Sequence, residues 1–212
     1  MQHEFWHQRW QENQIGFHEP EANELLVEHF FRINLAHGSK VLVPLCGKSH
    51  DLGWLADNGF DVVGVELSTI AAESFFAERG VSPHVTDLGE FQVYRSENIR
   101  IFLGDVFKAT RALLGDIDAI YDRAALVALP EDTRVSYTKH LVDMSSRADQ
   151  LLITYEYDQT LMNGPPFSVS ENELMRHYAD SYNIEQIKRR EVPSKLKGQT
   201  ATETVWLLRG KS

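Results

Sequence analysis

The chain has 212 residues, 42% of them hydrophobic, with 21 Lys and Arg against 31 Asp and Glu and a formal net charge of −10. That length and apolar content suit one α/β domain with a full core and no linker, repeat or low-complexity segment, and the negative charge argues against DNA or RNA as a partner. The longest strongly apolar run, Ala124 to Leu129, is far short of the roughly 20 residues that span a bilayer. Residues 1–15 are polar and aromatic, without the basic start and apolar core of a signal peptide. The single cysteine, Cys46, excludes an intrachain disulfide and fits a reducing compartment. The expectation is a cytoplasmic protein with no membrane segment.

Taken in chain order, strands alternate with helices, as a doubly wound, mostly parallel sheet requires. A helical region covers Glu4 to Gln11 and a second helix runs from Glu21 to Asn34. Strands are expected at 40–44 and 61–66, with helices from Asp51 to Asn58 and Thr69 to Arg79. The stretch Gln92 to Leu103 alternates around Ser96-Glu97-Asn98 and reads as a hairpin ending in Gly104-Asp105. Ala119 to Tyr121 forms the next strand, and Pro130 opens a helix reaching Ser145, a position where a missing N–H has no intrahelical partner to lose. Leu151 to Tyr155 is a buried strand. Ser170-Glu171-Asn172-Glu173 has the capping-box pattern of a helix running to about Asp180. Glu185 to Val192 and Thr204 to Leu208 close the chain as an antiparallel pair, for about seven core strands.

Residues 40–66 carry the chemistry. An apolar run, Val41 to Leu45, breaks at a loop holding Gly47, and a second run, Val62 to Val65, stops on Glu66. In open α/β sheets ligands bind at the carboxyl ends of the strands, and an acid about 20 residues after the glycine loop can accept both hydroxyl protons of a ribose. The loop Pro44-Leu45-Cys46-Gly47-Lys48-Ser49 has one glycine. It therefore lacks the three glycines of a dinucleotide fingerprint and the spacing of a P-loop. A ribose acid without a pyrophosphate cradle points to S-adenosylmethionine. An ordinary strand–helix–strand unit whose second strand ends in a solvated glutamate would look the same.

Four ordered motifs give the resemblance. They are Phe5-Trp6 to Trp10 with Ile15-Gly16-Phe17-His18; Val-Pro-Leu-Cys-Gly-Lys-Ser with Val-Val-Gly-Val-Glu-Leu-Ser; Tyr121 to Leu129; and Tyr157-Asp158 with Gly164-Pro165-Pro166-Phe167. The chain resembles the thiopurine S-methyltransferase family, above all its bacterial members, within the class I S-adenosylmethionine-dependent methyltransferases. The resemblance implies one Rossmann-like methyltransferase domain over residues 1–212, a seven-stranded sheet, and an N-terminal helical cap over the cofactor site at residues 1–35. It implies transfer of a methyl group to the thiol of thiopurines or other aromatic and heterocyclic thiols, with S-adenosylhomocysteine as product. The enzyme implied is a monomer with a small-molecule substrate. Methylation of selenium or tellurium species, of halide or of another small nucleophile fits the same features, as does a non-catalytic S-adenosylmethionine-binding protein.

Residues matching Trp10, Leu45, Glu66 and Arg123 contact the cofactor in that family, and Gly47, Leu67 and Asp105 join them by position. An indole face at Trp10 suits a sulfonium. Asp105 is placed near the adenine amino group, although a helix N-cap would look identical. Arg123 can bind the cofactor carboxylate or steady negative charge on a nucleophile, or pair with Asp122 structurally. Asp122 is a candidate proton acceptor, and Phe17, Arg123 and Phe167 are candidate substrate contacts. Animal members also use a second arginine near the C-terminus; Lys195 and Lys197 are the nearest basic residues here. His3-Glu4-Phe5-Trp6-His7 matches the zinc-protease HExxH pattern, but without a compelling third ligand no metal is expected. Cys46, near a helix N-terminus, reads either as a reactive thiol or as a small packed residue.

Overall fold

The computed structural model describes residues 3–192 and 196–211; Lys195 lies outside them. Backbone contacts divide the chain into two compact units, Met1–Ala119 and Ile120–Ser212.

The first unit opens with helices α1 (His3–Gln11) and α2 (Glu24–His29), followed by a tight turn at Phe30–Ile33. Strand β1 (Lys40–Pro44), helix α3 (His50–Asp57) and strand β2 (Asp61–Glu66) come next. Helix α4 (Thr69–Glu78) leads to β3 (His84–Asp87), β4 (Gln92–Ser96), β5 (Ile99–Leu103) and the short helix α5 (Arg111–Leu114). The strand order in this unit is β3-β4-β5-β2-β1. The runs Val-Leu-Val and Val-Val-Gly-Val are buried throughout, as parallel strands covered on both faces require. Pairing is parallel between β1 and β2 (Pro44 opposite Val65) and between β2 and β5 (Glu66 opposite Leu103). That register brings the carboxyl ends of β1, β2 and β5 together, so Leu45, Glu66 and Gly104-Asp105 leave the sheet side by side.

The second unit contains β6 (Ala119–Arg123), which starts at the boundary, and α6 (Glu131–Ser145), β7 (Asp149–Glu156), α7 (Glu171–Tyr178), β8 (Tyr182–Glu191) and β9 (Thr202–Gly210). Its strand order is β6-β7-β9-β8. The β7/β9 and β8/β9 pairs are antiparallel, with an irregularity between Gln186 and Lys188. Trp206 of β9 is buried and donates its indole N–H to Thr154 Oγ1 of β7 at 2.8 Å.

Nine strands are described where about seven were expected. The surplus is the antiparallel β3–β4 extension at the edge of the first unit. Strand β3 is exposed at all four residues and has no apolar alternation to announce it. Helix α2 starts at Glu24 and not at Glu21, because the Asn23 side chain accepts the N–H groups of Leu25 and Leu26 and caps it there. Asn34, left-handed at φ 64°, ends the turn that follows.

Candidate active site

Two left-handed residues shape the loop after β1. Leu45 has φ 47° and Gly47 φ 54°. A branched side chain in that region is uncommon and costs on the order of 1 kcal/mol or more, which concentrates such residues at functional sites. Leu45 is also half-exposed, so it is not an ordinary core leucine. Cys46 N–H bonds the Val65 carbonyl at 3.2 Å, carrying the β1–β2 ladder one residue further. The chain then turns so that Gly47 N–H donates to Glu66 Oε2 at 2.7 Å. Ser68 N–H donates to Glu66 Oε1, also at 2.7 Å. Glu66 is only 6% exposed. Burial pushes its carboxyl up from the usual range, and the N–H groups of Ser68, Gly47 and Leu67 oppose that shift. An ionised carboxylate offers about four acceptor positions, so two oxygens holding these amides retain capacity for a diol. Leu67, half-exposed, follows directly.

The N-terminal aromatic segment covers this loop. Trp10 is buried and packs edge-to-face on Phe17 at 5.7 Å between ring centroids; Trp6 meets Phe17 at 6.1 Å. A Cβ on Gly47 would lie 3.2 Å from Trp10 Cζ2 and 3.8 Å from a Phe17 ring carbon. Gly47→Ala is therefore expected to lose about 1–2 kcal/mol of stability through its left-handed backbone and to loosen the aromatic cover. Urea unfolding and tryptophan emission would read the two effects. An alanine variant with unchanged stability and emission would contradict this packing.

Asp105 begins a short turn, with Oδ1 accepting Phe107 N–H at 3.0 Å while Oδ2 faces His3 Nε2 at 3.3 Å. The N-cap that its sequence position left open is thus present. Cys46 does not resemble a reactive thiol. It is buried, a Cβ on Gly64 would lie 2.7 Å from its Sγ, and burial together with the Glu66 charge pushes its thiol well up.

In the second unit, β6 ends in Asp122 and Arg123, and Ala124 follows with φ 58°. Neighbouring strand residues point to opposite faces, and Asp122 turns inward. It has no exposed surface, and it accepts Leu126 N–H at 3.0 Å and Tyr137 O–H at 2.7 Å, with Ala125 N–H also bonded. This enclosure does not fit the proton-accepting role its sequence position suggested; it braces the loop after Arg123. Arg123 itself is half-buried. The same loop is held at its far end, where Phe167 N–H donates to Val127 O at 2.6 Å. Phe167 also lies over Gly164 and 5.9 Å from the Arg134 guanidinium. Tyr157 O–H and Lys197 Nζ each donate, at 2.6 Å, to the carbonyls of Pro166 and Pro165.

Burial pushes the Asp122 carboxyl up to about 6, against the opposing hydrogen bonds. A folded carboxyl that holds its proton more tightly than the unfolded one adds stability below about pH 4, and that stability is lost as pH rises through 6. The expected difference is about 3 kcal/mol. Asp122→Asn removes this titration and keeps a polar partner for Tyr137. Unfolding free energies at pH 4 and 7.5 should therefore shift against the unsubstituted protein, relative to the variant, by up to that amount. A pH-independent difference would contradict the assignment.

Sequence reasoning missed a buried ionic cluster behind Phe167. Arg134 Nε bonds Glu173 Oε1 at 2.6 Å, Arg134 Nη1 bonds the Leu129 carbonyl at 2.8 Å, and His177 Nε2 lies 3.2 Å from Glu173 Oε1. The capping box is thereby half-formed. Ser170 Oγ accepts Glu173 N–H at 3.2 Å, while the glutamate side chain turns to Arg134. Glu173 and His177 share a helix face at a readable spacing, but Arg134 is 39 residues away. Of the HExxH residues, His3 faces Asp105, and neither His3 nor His7 belongs to the one metal-type cluster found among the described residues. Among the described residues, no helix is long and apolar enough to cross a membrane.

Thus Trp10, Phe17, Leu45, Gly47, Glu66, Leu67 and Asp105 all fall in the first unit, most of them around three adjoining strand ends. Asp122, Arg123 and Phe167 fall in the second, tied to one loop.

The fold is similar to a S-adenosylmethionine-dependent methyltransferase from Anabaena variabilis (TM-score 0.67, 15% identity, 99% of this chain and 95% of that one). It is equally similar to a Burkholderia thailandensis 1,6-didemethyltoxoflavin-N1-methyltransferase with bound S-adenosylhomocysteine (TM-score 0.67, 15% identity, covering 99% and 87%). In sequence, the chain is 51% identical over 210 residues to a thiopurine S-methyltransferase of Xanthobacter autotrophicus (98% of this chain, 99% of the relative). It is 49% identical over 209 residues to one of Teredinibacter turnerae (98% and 97%). The thiopurine S-methyltransferase family model matches residues 1–211. The chain belongs to the thiopurine S-methyltransferase family.

Proposed function

We propose that the protein transfers a methyl group from S-adenosylmethionine to the thiol sulfur of thiopurines or related aromatic and heterocyclic thiols. The observation that carries this reading is the Glu66 carboxylate, held at the carboxyl end of β2 by backbone amides that include Gly47 N–H, with the Trp10 indole packed against that glycine, in a chain about half identical to bacterial thiopurine S-methyltransferases over nearly its whole length. When bound, S-adenosylmethionine supplies a methyl group already activated on a sulfonium.

The chain's own residues supply binding, alignment and exclusion of water. Glu66 accepts the ribose hydroxyls with its remaining lone pairs. Trp10 presents an aromatic face suited to the sulfonium. Leu45, Gly47 and Leu67 bring backbone close to the cofactor, and Asp105 serves the adenine amino group. Arg123 steadies negative charge on the incoming sulfur or pairs with the cofactor carboxylate. Phe17 and Phe167 are each a candidate contact for a flat aromatic substrate. Aromatic thiols ionise readily near neutral pH, so the buried Asp122 acts by positioning the Arg123 loop and no dedicated base is required. Residues 1–35 act as the cap, within one methyltransferase domain spanning the chain. A monomer in the cytoplasm with a small-molecule substrate is the working state, and the net charge of −10 disfavours nucleic acid.

Incubation with S-adenosylmethionine and 6-mercaptopurine tests the proposal. Release of S-adenosylhomocysteine matched one-to-one by methylated thiopurine is expected. Cofactor binding without turnover on a panel of aromatic thiols would overturn it, and turnover on selenite alone would reassign the acceptor.

A further inference from the structure

The first unit contains a group of side chains that the methyl-transfer reading does not use. His18, His50 and Glu78 offer ligand atoms that all lie within 4.8 Å of one another. The two imidazoles face each other with ring centroids 5.3 Å apart and planes tilted by 33°. Both histidines are half-buried and Glu78 is exposed, so the group sits at the surface with one open side. Its members come from three places: the segment after Phe17, the first residue of α3 and the last residue of α4.

We propose that His18, His50 and Glu78 form a binding site for a divalent transition-metal ion of the zinc type. Two imidazoles and one carboxylate are a donor set such ions favour, with a water completing four-coordination. Zinc bonds of about 2.0–2.2 Å need ligand atoms somewhat closer together than they stand, which small side-chain rotations supply. Lys48 Nζ lies 2.5 Å from Glu78 Oε1. A carboxylate has two oxygens, so Oε2 is left for the ion. The ammonium beside it opposes a second positive charge and keeps the affinity moderate.

The position gives the site a consequence. His18 directly follows Phe17, whose ring covers Gly47, and His50 directly follows the cofactor loop and its capping Ser49. An ion held here staples the N-terminal aromatic segment to α3 and α4. It would hold the cap down over the cofactor loop.

Calorimetric titration of the full-length, metal-stripped protein with Zn²⁺ alone tests this directly. One saturable site with micromolar affinity is expected, together with a rise in melting temperature. His50→Ala should weaken binding at least tenfold and abolish the thermal shift, while its S-adenosylhomocysteine affinity without zinc shows that the variant is folded. Lys48→Met should tighten binding several-fold by removing the opposing charge. His7→Ala should change nothing, which separates this site from the HExxH pattern. Absence of saturable binding at 0.1 mM Zn²⁺, on the order of 5.5 kcal/mol of affinity, would overturn the proposal. So would binding that survives His50→Ala or disappears with His7→Ala.

Discussion

Replacing Glu66 by alanine is expected to weaken S-adenosylhomocysteine binding about 30-fold, or roughly 2 kcal/mol, because charged hydrogen bonds to the ribose are lost. The substitution does a second kind of damage. Gly47 N–H and Ser68 N–H both end on this carboxylate, at 2.7 Å each, and both would be stranded in a buried site. Each orphaned donor costs about 1–3 kcal/mol, so the variant should also unfold more easily. Calorimetry separates the two effects when binding is measured well below the unfolding transition. Glu66→Gln sharpens the test. Its amide nitrogen would confront a backbone N–H at one of the two positions, so near-isosteric shape should not rescue affinity. Unchanged affinity in the alanine variant, with the protein folded, would remove the ribose role from Glu66.

A second large effect is expected within the second unit. Arg134 is 4% exposed and its guanidinium is balanced by Glu173, itself 6% exposed. Removing one partner of a buried pair leaves an uncompensated charge, which costs about 3–5 kcal/mol. Glu173→Ala should lose that much in denaturant unfolding. Replacing both members, as Arg134→Met with Glu173→Leu, should recover most of the loss, because the desolvation of both charges disappears with them. Arg134 also lies against Phe167 and bonds the Leu129 carbonyl. The alanine variant should therefore raise KM for an aromatic thiol more than it changes cofactor affinity. A stability loss under 1 kcal/mol would show that the pair is not a buried brace.

The strand–helix–strand unit from Lys40 to Glu66 was legible because its two strands are short valine-rich apolar runs ended by a proline loop and an acid. Its observed limits, Lys40–Pro44 and Asp61–Glu66, are those the sequence implies. The first-unit candidates were legible for a related reason, since one short segment and one aromatic stretch contain most of them. Asp122 was harder. The sequence shows an acid beside an arginine but not which faces inward, and only the buried hydroxyl of Tyr137 decides it. Strand β3 escaped notice because an exposed edge strand needs no apolar pattern. The Arg134–Glu173 pair and the His18–His50–Glu78 group are built from residues distant in the chain. Their proximity is a property of the fold and leaves no local signature. The capping box misled in one detail: Ser170 caps, but the buried arginine outcompetes the helix terminus for Glu173.

A crystal structure of the protein with S-adenosylhomocysteine would test the central claim most directly. Both ribose hydroxyls are expected within hydrogen-bonding distance of the Glu66 carboxylate, with the Trp10 indole against the sulfur. An adenosine bound away from the ends of β1, β2 and β5, or a ribose held by another acid, would contradict it.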